Sequence, residues 1–392
     1  MKKKILFVME SLSIGGAEKS LVTILKMIDY NEYDVDLFLF EHSGDFMNLI
    51  PQEVNLLDEN MKYKLFSKNR KLSFIKFFLR GQFKLALCSL RWNIGAVISK
   101  LKGKKLYIGW NNIELMFNKL DVEYDTSIAF LERKTIYFNV DKVNSKNKIG
   151  FIHNDYSKYP FDEILDRYYF KFYNKIPTVS EHCKDVLDAI FPEYKEKFIV
   201  VKNMVSKELI YDMAKLPIEG FDIDEKNINI VSVGRLTKQK GFDRIVPICI
   251  KLRANDINFK WYIVGDGEER KTLQSQINDA KLEDYITLVG KHSNPYKWIN
   301  IADIYVQPSR FEGYGITVAE AKALNKPIVG SEIPEFKELL SDGKGLLAHD
   351  EEEFVSKIYS LINNESLRNE IINNQKKEKD DIEELKKLYR II

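Results

Sequence analysis

Two glutamates eight positions apart, Glu312 and Glu320, bracket a Gly-Tyr-Gly in the stretch FEGYGITVAEA, Phe311 to Ala321. Glycine is costly in regular structure and is kept where backbone must come close to something. The preceding ADIYVQPS is apolar and strand-like, and the following ITVAEAKAL has helical spacing, so the glycines fall on a strand-to-helix turn. A helix start offers N–H groups and a positive dipole end that suit a phosphate. Two carboxylates would repel a bare phosphate, yet they accept well from neutral hydroxyls. A ligand that satisfies both is a phosphate joined to sugars, as in a nucleotide sugar. The candidate residues are Glu312, Gly313, Tyr314, Gly315, Ile316, Thr317 and Glu320.

A second cluster lies in VSVGRLTKQKGFDRI, where Arg235 and Lys240 flank another turn after a strand. Arginine presents a planar fork to phosphate oxygens and lysine a compact point charge. The pair by itself also fits an ordinary solvated loop. IVGDGEE carries a GxG that a tight turn explains equally well. Near the amino end, Gly15 and Gly16 sit between the first strand and the first helix, as a flexible connection or as backbone approaching a phosphate or sugar. His153 in IGFIHND ends a strand, as a satisfied structural residue or as a ligand contact. The triplets Asp34–Asp36 and Asp222–Asp224 have the spacing of a metal-bound nucleotide sugar. They fall at a strand start and in a linker, and we read both as incidental.

Positioning these turns takes alternating strands and helices, hence parallel sheets. Strands are expected at Ile5–Met9, Val35–Phe40, Val54–Leu57, Ser127–Leu131, Ile149–His153, Thr178–Val179 and Phe198–Ser206, with Leu21, Ile24, Leu25 and Ile28 striping the first helix. Pro217 and Gly220 mark a linker, and a second series starts at Ile228. The fold class is therefore α/β, with two doubly wound Rossmann-like domains facing across a cleft and ligands at the carboxyl ends of the strands. The boundaries are 1–206 and 207–375, with a C-terminal helix over 376–392 packing back on the first domain through Ile382, Leu385 and Leu388.

With 392 residues, 45% hydrophobic and 30% charged, the chain reads as a soluble two-domain protein. Its net charge of +2 gives no nucleic-acid signal. Three scattered cysteines, Cys88, Cys183 and Cys249, form neither a disulfide framework nor a zinc cluster and suggest a reducing compartment. The apolar run at the start is too short for a signal peptide, and none approaches the length of a membrane span. These features predict a cytoplasmic protein.

GRLTKQKG, IVGDGEE, ADIYVQPSRFEGYGITVAEA and DGKGLLAHD occur in the order and spacing of the retaining glycosyltransferases of family 4, which have the GT-B fold, and GGAEK, IHND and TVSE resemble shorter signatures of that family. The resemblance covers most of the chain, but nothing in residues 60–125 matches. It implies that Arg235 and Lys240 hold a nucleotide diphosphate and stabilise the departing charge. It implies Glu312 on the donor sugar, Glu320 on the ribose, and the N–H groups of Gly315 to Thr317 on the phosphate. Gly16 would approach the phosphate from across the cleft, His153 would touch the donor sugar, and Lys291 would stand where the base is read. The implied reaction is front-face glycosyl transfer from a nucleotide sugar, a UDP-sugar, with retained configuration, no cofactor and no essential metal. A glycosidase would instead need two carboxylates on opposite sides of the scissile bond. Two other readings are a GT-B enzyme that is not a transferase, such as a nucleotide-sugar epimerase, and a catalytically silent carbohydrate-binding module.

Residues Met61 to Lys105 hold thirteen basic residues and no acidic one, interleaved with Phe66, Phe74, Phe77, Phe78, Phe83 and Trp92. Packed helices with solvated cations would show such a composition. So would a segment that contacts an anionic membrane at the inner face of the cell, near a glycan or lipid-linked glycan acceptor. No nucleic-acid module accompanies the segment. Partial insertion of Phe77, Phe78 or Trp92 is expected.

Overall fold

The computed structural model describes residues 2–101, 109–158, 161–221, 223, 227–255, 257–377 and 382–392, with side chains of 99–101 left aside. Among the described residues there are thirteen strands, β1 to β13. In the first half these are β1 (Lys3–Met9), β2 (Tyr33–Leu39), β3 (Asn55–Leu56), β4 (Glu123–Ala129), β5 (Asn144–Gly150), β6 (Ile176–Thr178) and β7 (Phe198–Val200). The first five form one parallel sheet in the order β3-β2-β1-β4-β5, and β6 pairs with β7. Strand β1 is sealed on both faces, as a central parallel strand must be when helices cover the sheet, and Ile5 to Met9 are fully buried.

The second half contributes β8 (Ile228–Val233), β9 (Phe259–Val264), β10 (Ile286–Gly290), β11 (Ile304–Gln307), β12 (Ile328–Ser331) and β13 (Leu346–Ala348). Their order is β10-β9-β8-β11-β12-β13, all parallel. Counted from β8 this is 3-2-1-4-5-6, the doubly wound arrangement in which the winding reverses between the first and fourth strands. The chain forms two units, Met1–Lys202 with Glu384–Ile392, and Asn203–Glu383. The crossing at Lys202 lies four residues before the expected one at 206, and the returning segment starts at Glu384 rather than 376.

Three expectations need correction. The C-terminal helix is two helices, Glu365–Lys376 and Ile382–Ile391. The second buries Leu385 and Leu388 and leaves Ile382 exposed. It stacks Tyr389 on Tyr33 at 5.6 Å, and the Lys202 N–H donates to Glu384 at 2.9 Å. Strand β5 starts at Asn144 and stops at Gly150, so His153 lies in the following loop rather than at a strand end. Its first half, NSKNK, is polar, which hides it from a hydrophobicity reading. The strand expected over Phe198–Ser206 stops at Val200.

Residues 60–125 supply much of the first unit's core. Tyr63, Phe66, Phe77, Trp110 and Phe117 are buried, and Phe117 packs on Phe40 and Phe138. Each fully buried aromatic of this kind stabilises by about 2–3 kcal/mol relative to leaving it exposed. Phe77 is therefore a core residue and cannot insert into a membrane. Trp92 packs edge-on against Phe66 with the Arg70 guanidinium over its ring, so it too is a packing residue. Asp36 of the first DxD triplet accepts from the Tyr124 hydroxyl at 2.7 Å and the Asn55 amide at 2.8 Å, holding the sheet together. Asp222, Asp224, Lys102, Lys104 and Lys105, and the Lys100 side chain, lie outside the described residues.

Candidate functional site

In the second unit β8 and β11 are neighbours at the winding reversal, so the loops that leave their carboxyl ends lie side by side. The first loop carries Arg235 and Lys240, and the second carries Glu312 to Gly315. Gly241 holds the two together. Its φ is +66°, and a Cβ there would stand 2.2 Å from the Pro308 carbonyl oxygen, a contact no side chain survives. The Arg310 N–H donates to the Gln239 carbonyl at 2.8 Å, and the Gln239 amide donates back to the Phe311 carbonyl at 3.1 Å. Arg310 also grips Asp243 with both terminal nitrogens at 2.7 Å. Those hydrogen bonds hold the Asp243 carboxyl below its ordinary range.

This lacing brings Lys240 onto Glu312, its ammonium 2.7 Å and 2.9 Å from the two carboxylate oxygens. Both side chains are largely buried. Beneath them runs a relay along one face of β11. The Tyr305 hydroxyl donates to Gln307 at 2.9 Å, the Gln307 amide to Ser309 at 3.0 Å, and the Ser309 hydroxyl to Glu312 Oε1 at 2.6 Å. An ammonium has three N–H donors and a carboxylate about four acceptor positions. The pair thus keeps capacity for a ligand while each partner fixes the other.

After Glu312 the backbone turns into the helix Ile316–Ala323 through Gly315, whose φ is +94°. A Cβ on Gly315 would lie 2.5 Å from the Phe336 ring. The helix's own hydrogen bonds begin with the Val318 and Ala319 N–H groups on the Gly315 carbonyl, so the N–H groups ahead of them stand outside its ladder. One turn on, Glu320 is only 1% exposed and accepts from the Tyr296 hydroxyl at 3.1 Å. Burial first, then the Glu320 charge, pushes the Tyr296 hydroxyl well above its ordinary pKa, so it remains a donor.

The structure gathers Lys240, Glu312, Gly313, Tyr314, Gly315, Ile316, Thr317 and Glu320 on one strand-loop-helix and the loop laced to it. Arg235 lies on the Lys240 loop, exposed. Lys291 is exposed on the loop after β10, two strands from β8. Gly15, Gly16 and His153 belong to the first unit. There Gly15 caps the helix Gly16–Met27 in extended backbone. His153 is 7% exposed, its ring stacked on Phe151 at 5.5 Å, and its backbone N–H donates to the Glu132 carboxylate at 3.1 Å. Residue types alone missed Tyr305, Gln307, Ser309, Asp243, Arg310 and Tyr296. The signal for three of them was present, since Tyr305, Gln307 and Ser309 alternate along an otherwise apolar strand and so share one face. Among the described residues no group of three or more His, Cys, Asp or Glu is arranged to hold a metal ion.

Two such doubly wound units in one chain define the GT-B fold, and the likeness to solved structures extends over the whole length. The chain aligns with Anabaena HepE, solved in complex with UDP and glucose, at a TM-score of 0.70 and 17% identity, covering 99% of this chain and 98% of that one. With a glycosyltransferase from Rickettsia africae the TM-score is 0.69 at 17% identity, over 100% and 97%. Residues 218–378 match the family described as glycosyl transferases group 1, a span that begins and ends in the second unit and contains the laced loops. Among relatives by sequence, an uncharacterised glycosyltransferase of Methanocaldococcus jannaschii is 31% identical over 224 residues, 55% of this chain and 58% of that protein. A second from the same organism is 28% identical over 168 residues, 42% of this chain and 41% of that protein. The O-antigen biosynthesis glycosyltransferase WclY of Escherichia coli is 31% identical over 119 residues, 30% and 33% of the two chains. The matches thus span about half the length of these relatives or less.

Proposed function

We propose that this protein is a retaining, metal-independent glycosyltransferase. It moves a sugar from a UDP-sugar to a saccharide or lipid-linked saccharide in cell-surface polysaccharide assembly, at the cytoplasmic face of the membrane. The observation that carries this reading is the buried Lys240–Glu312 pair set beside a helix start at the winding reversal. Lys240 and Arg235 supply positive charge to a diphosphate, as a metal would elsewhere, and the backbone of Gly315 to Thr317 adds N–H donors. Glu312, oriented by Lys240 and Ser309, accepts from hydroxyls of the donor sugar, and Glu320, oriented by Tyr296, from the ribose. The bond from the sugar's anomeric carbon to the phosphate oxygen breaks, and its electron pair leaves with UDP. The acceptor hydroxyl forms the new bond on the same face and gives its proton to the departing phosphate. The group 1 match over 218–378, the UDP in the HepE complex and the O-antigen role in WclY's name support the donor and the pathway class.

The test is a panel of nucleotide sugars and free nucleotides, scored by thermal shift and by nucleotide release with and without saccharide acceptors. UDP and one UDP-sugar should raise the melting temperature, and UDP release should require an acceptor. A changed sugar without acceptor would point to an epimerase, and binding without turnover to a silent module.

A further inference from the structure

The helices Arg70–Leu79 and Phe83–Leu101 pack as a hairpin, closed inside by the buried Ser73 and Ser89 hydroxyls, which share a hydrogen bond at 2.5 Å. Outside, each helix leaves an apolar stripe in solvent. On the first it is Leu72, Ile75 and Leu79, and on the second Phe83, Leu87, Leu90, Ile94 and Val97, both at helical spacing. Among the described residues 21 large apolar side chains are exposed, and eleven of them fall between Met61 and Ile98. Soluble proteins scatter such residues singly, and a contiguous patch marks an interaction site. The tip is the extreme case. The turn passes through Gly81 at φ +67°, and around it Phe78, Leu79 and Phe83 are 54%, 78% and 62% exposed.

The surrounding charge identifies the occupant. Seven exposed lysines and arginines lie between Lys68 and Arg91, none of them paired with an acid among the described residues, and the sequence from Met61 to Leu101 contains no acid at all. Lys76, Arg80 and Lys84 flank the apolar tip. Apolar stripes flanked by exposed cations match the boundary between acyl chains and anionic headgroups. None of the described helices is long and apolar enough to cross a membrane, so the contact is one of lying on the surface. We propose that this hairpin docks the protein on an anionic lipid bilayer, with Phe78, Leu79 and Phe83 inserted and the flanking cations on the headgroups. The proposal rests on the acceptor half of the reading above, a lipid-linked saccharide, and replaces Phe77 and Trp92 as inserting residues.

The experiment is co-sedimentation of the full chain with vesicles of phosphatidylcholine alone and of phosphatidylcholine with one third phosphatidylglycerol. Partitioning should be at least about tenfold stronger into the anionic vesicles and should weaken with added salt. The variants Leu79→Ser/Phe83→Ser and Lys76→Glu/Arg80→Glu/Lys84→Glu alter only exposed side chains. Each should lower partitioning about tenfold or more while leaving UDP binding unchanged. Equal partitioning into both vesicle types, or variants that sediment like the parent, overturns the proposal. So does a concentration-dependent dimer that the substitutions disperse in a protein that ignores vesicles, which would assign the face to a second copy. Because UDP binding is read separately, failure of the donor reading and failure of docking are distinguishable.

Discussion

Lys240 contacts both carboxylate oxygens of a largely buried Glu312, and this changes what a substitution there means. Removing one partner of a buried ion pair leaves the other charge unpaired, at a cost of about 3–5 kcal/mol. Lys240→Ala should therefore destabilise the protein as well as weaken UDP binding. Adding Glu312→Gln should recover much of the stability, because Ser309 still has an acceptor, but none of the UDP affinity. Urea unfolding and calorimetry on both variants check this, and equal unfolding midpoints for Lys240→Ala and the double variant would show that the pair is not coupled. The two glutamates should also divide. Glu312→Gln should strike turnover and spare UDP, whereas Glu320→Gln should weaken UDP by roughly 1–2 kcal/mol through the ribose. Equal loss of UDP affinity in both removes the division of roles. At this scale the sequence displayed residue types and turns but not partners. Lys240 and Glu312 are 72 positions apart, and only the lacing of two loops by Gly241, Gln239 and Arg310 brings them into contact.

At the scale of elements, the turn from β11 into its helix depends on Gly315 for two separate reasons. Its positive φ costs a side-chain-bearing residue roughly 1–2 kcal/mol, and a methyl group would enter the Phe336 ring. Gly315→Ala should lower the melting temperature and also weaken UDP binding, since the helix start it aims is displaced. A variant that unfolds earlier yet binds UDP normally would remove the backbone of this turn from the binding site. The glycine pattern made this turn legible, because few other needs explain Gly-Tyr-Gly between a strand and a helix. Strands were legible where apolar side chains dominate, as with β8 and β11. Strand β13 was not, being three residues long beside Gly343 and Gly345. The polar start of β5 hid for another reason. Lys148 there is half-buried, donating to the Asn139 and Val143 carbonyls at 2.7 Å each, and desolvation lowers its pKa to about 8. A charge inside a sheet contradicts the pattern a reader searches for.

The two units are unequally visible at the scale of the molecule. The second follows a known motif order, while the first is built partly from residues 60–125, whose aromatic side chains are diagnostic of a core only once Trp110 and Phe117 are seen packed. Its stability also carries a titration that no motif announces. Asp166 is 2% exposed and accepts from the hydroxyls of Tyr137 and Tyr156, both at 2.6 Å. Burial outweighs these two hydrogen bonds and raises its pKa from 3.8 to about 6. The folded protein thus holds this proton more tightly than the unfolded chain does. The stabilisation is fully present below pH 3.8, and is lost as the pH rises through about 6, in total about 3 kcal/mol. Asp243 and Glu351, held low by Arg310 and Arg244, act in the opposite sense at lower pH, so the whole-protein curve mixes signs. The difference between Asp166→Asn and the parent isolates the group. Asparagine keeps the shape and an acceptor oxygen but cannot ionise, so relative to the parent the variant should gain about 2 kcal/mol between pH 4 and pH 7. Urea unfolding at four pH values across that window measures it. A difference that stays flat with pH would mean that Asp166 titrates as it does in the unfolded chain, and that its two tyrosine hydroxyls offset the whole cost of burying its charge.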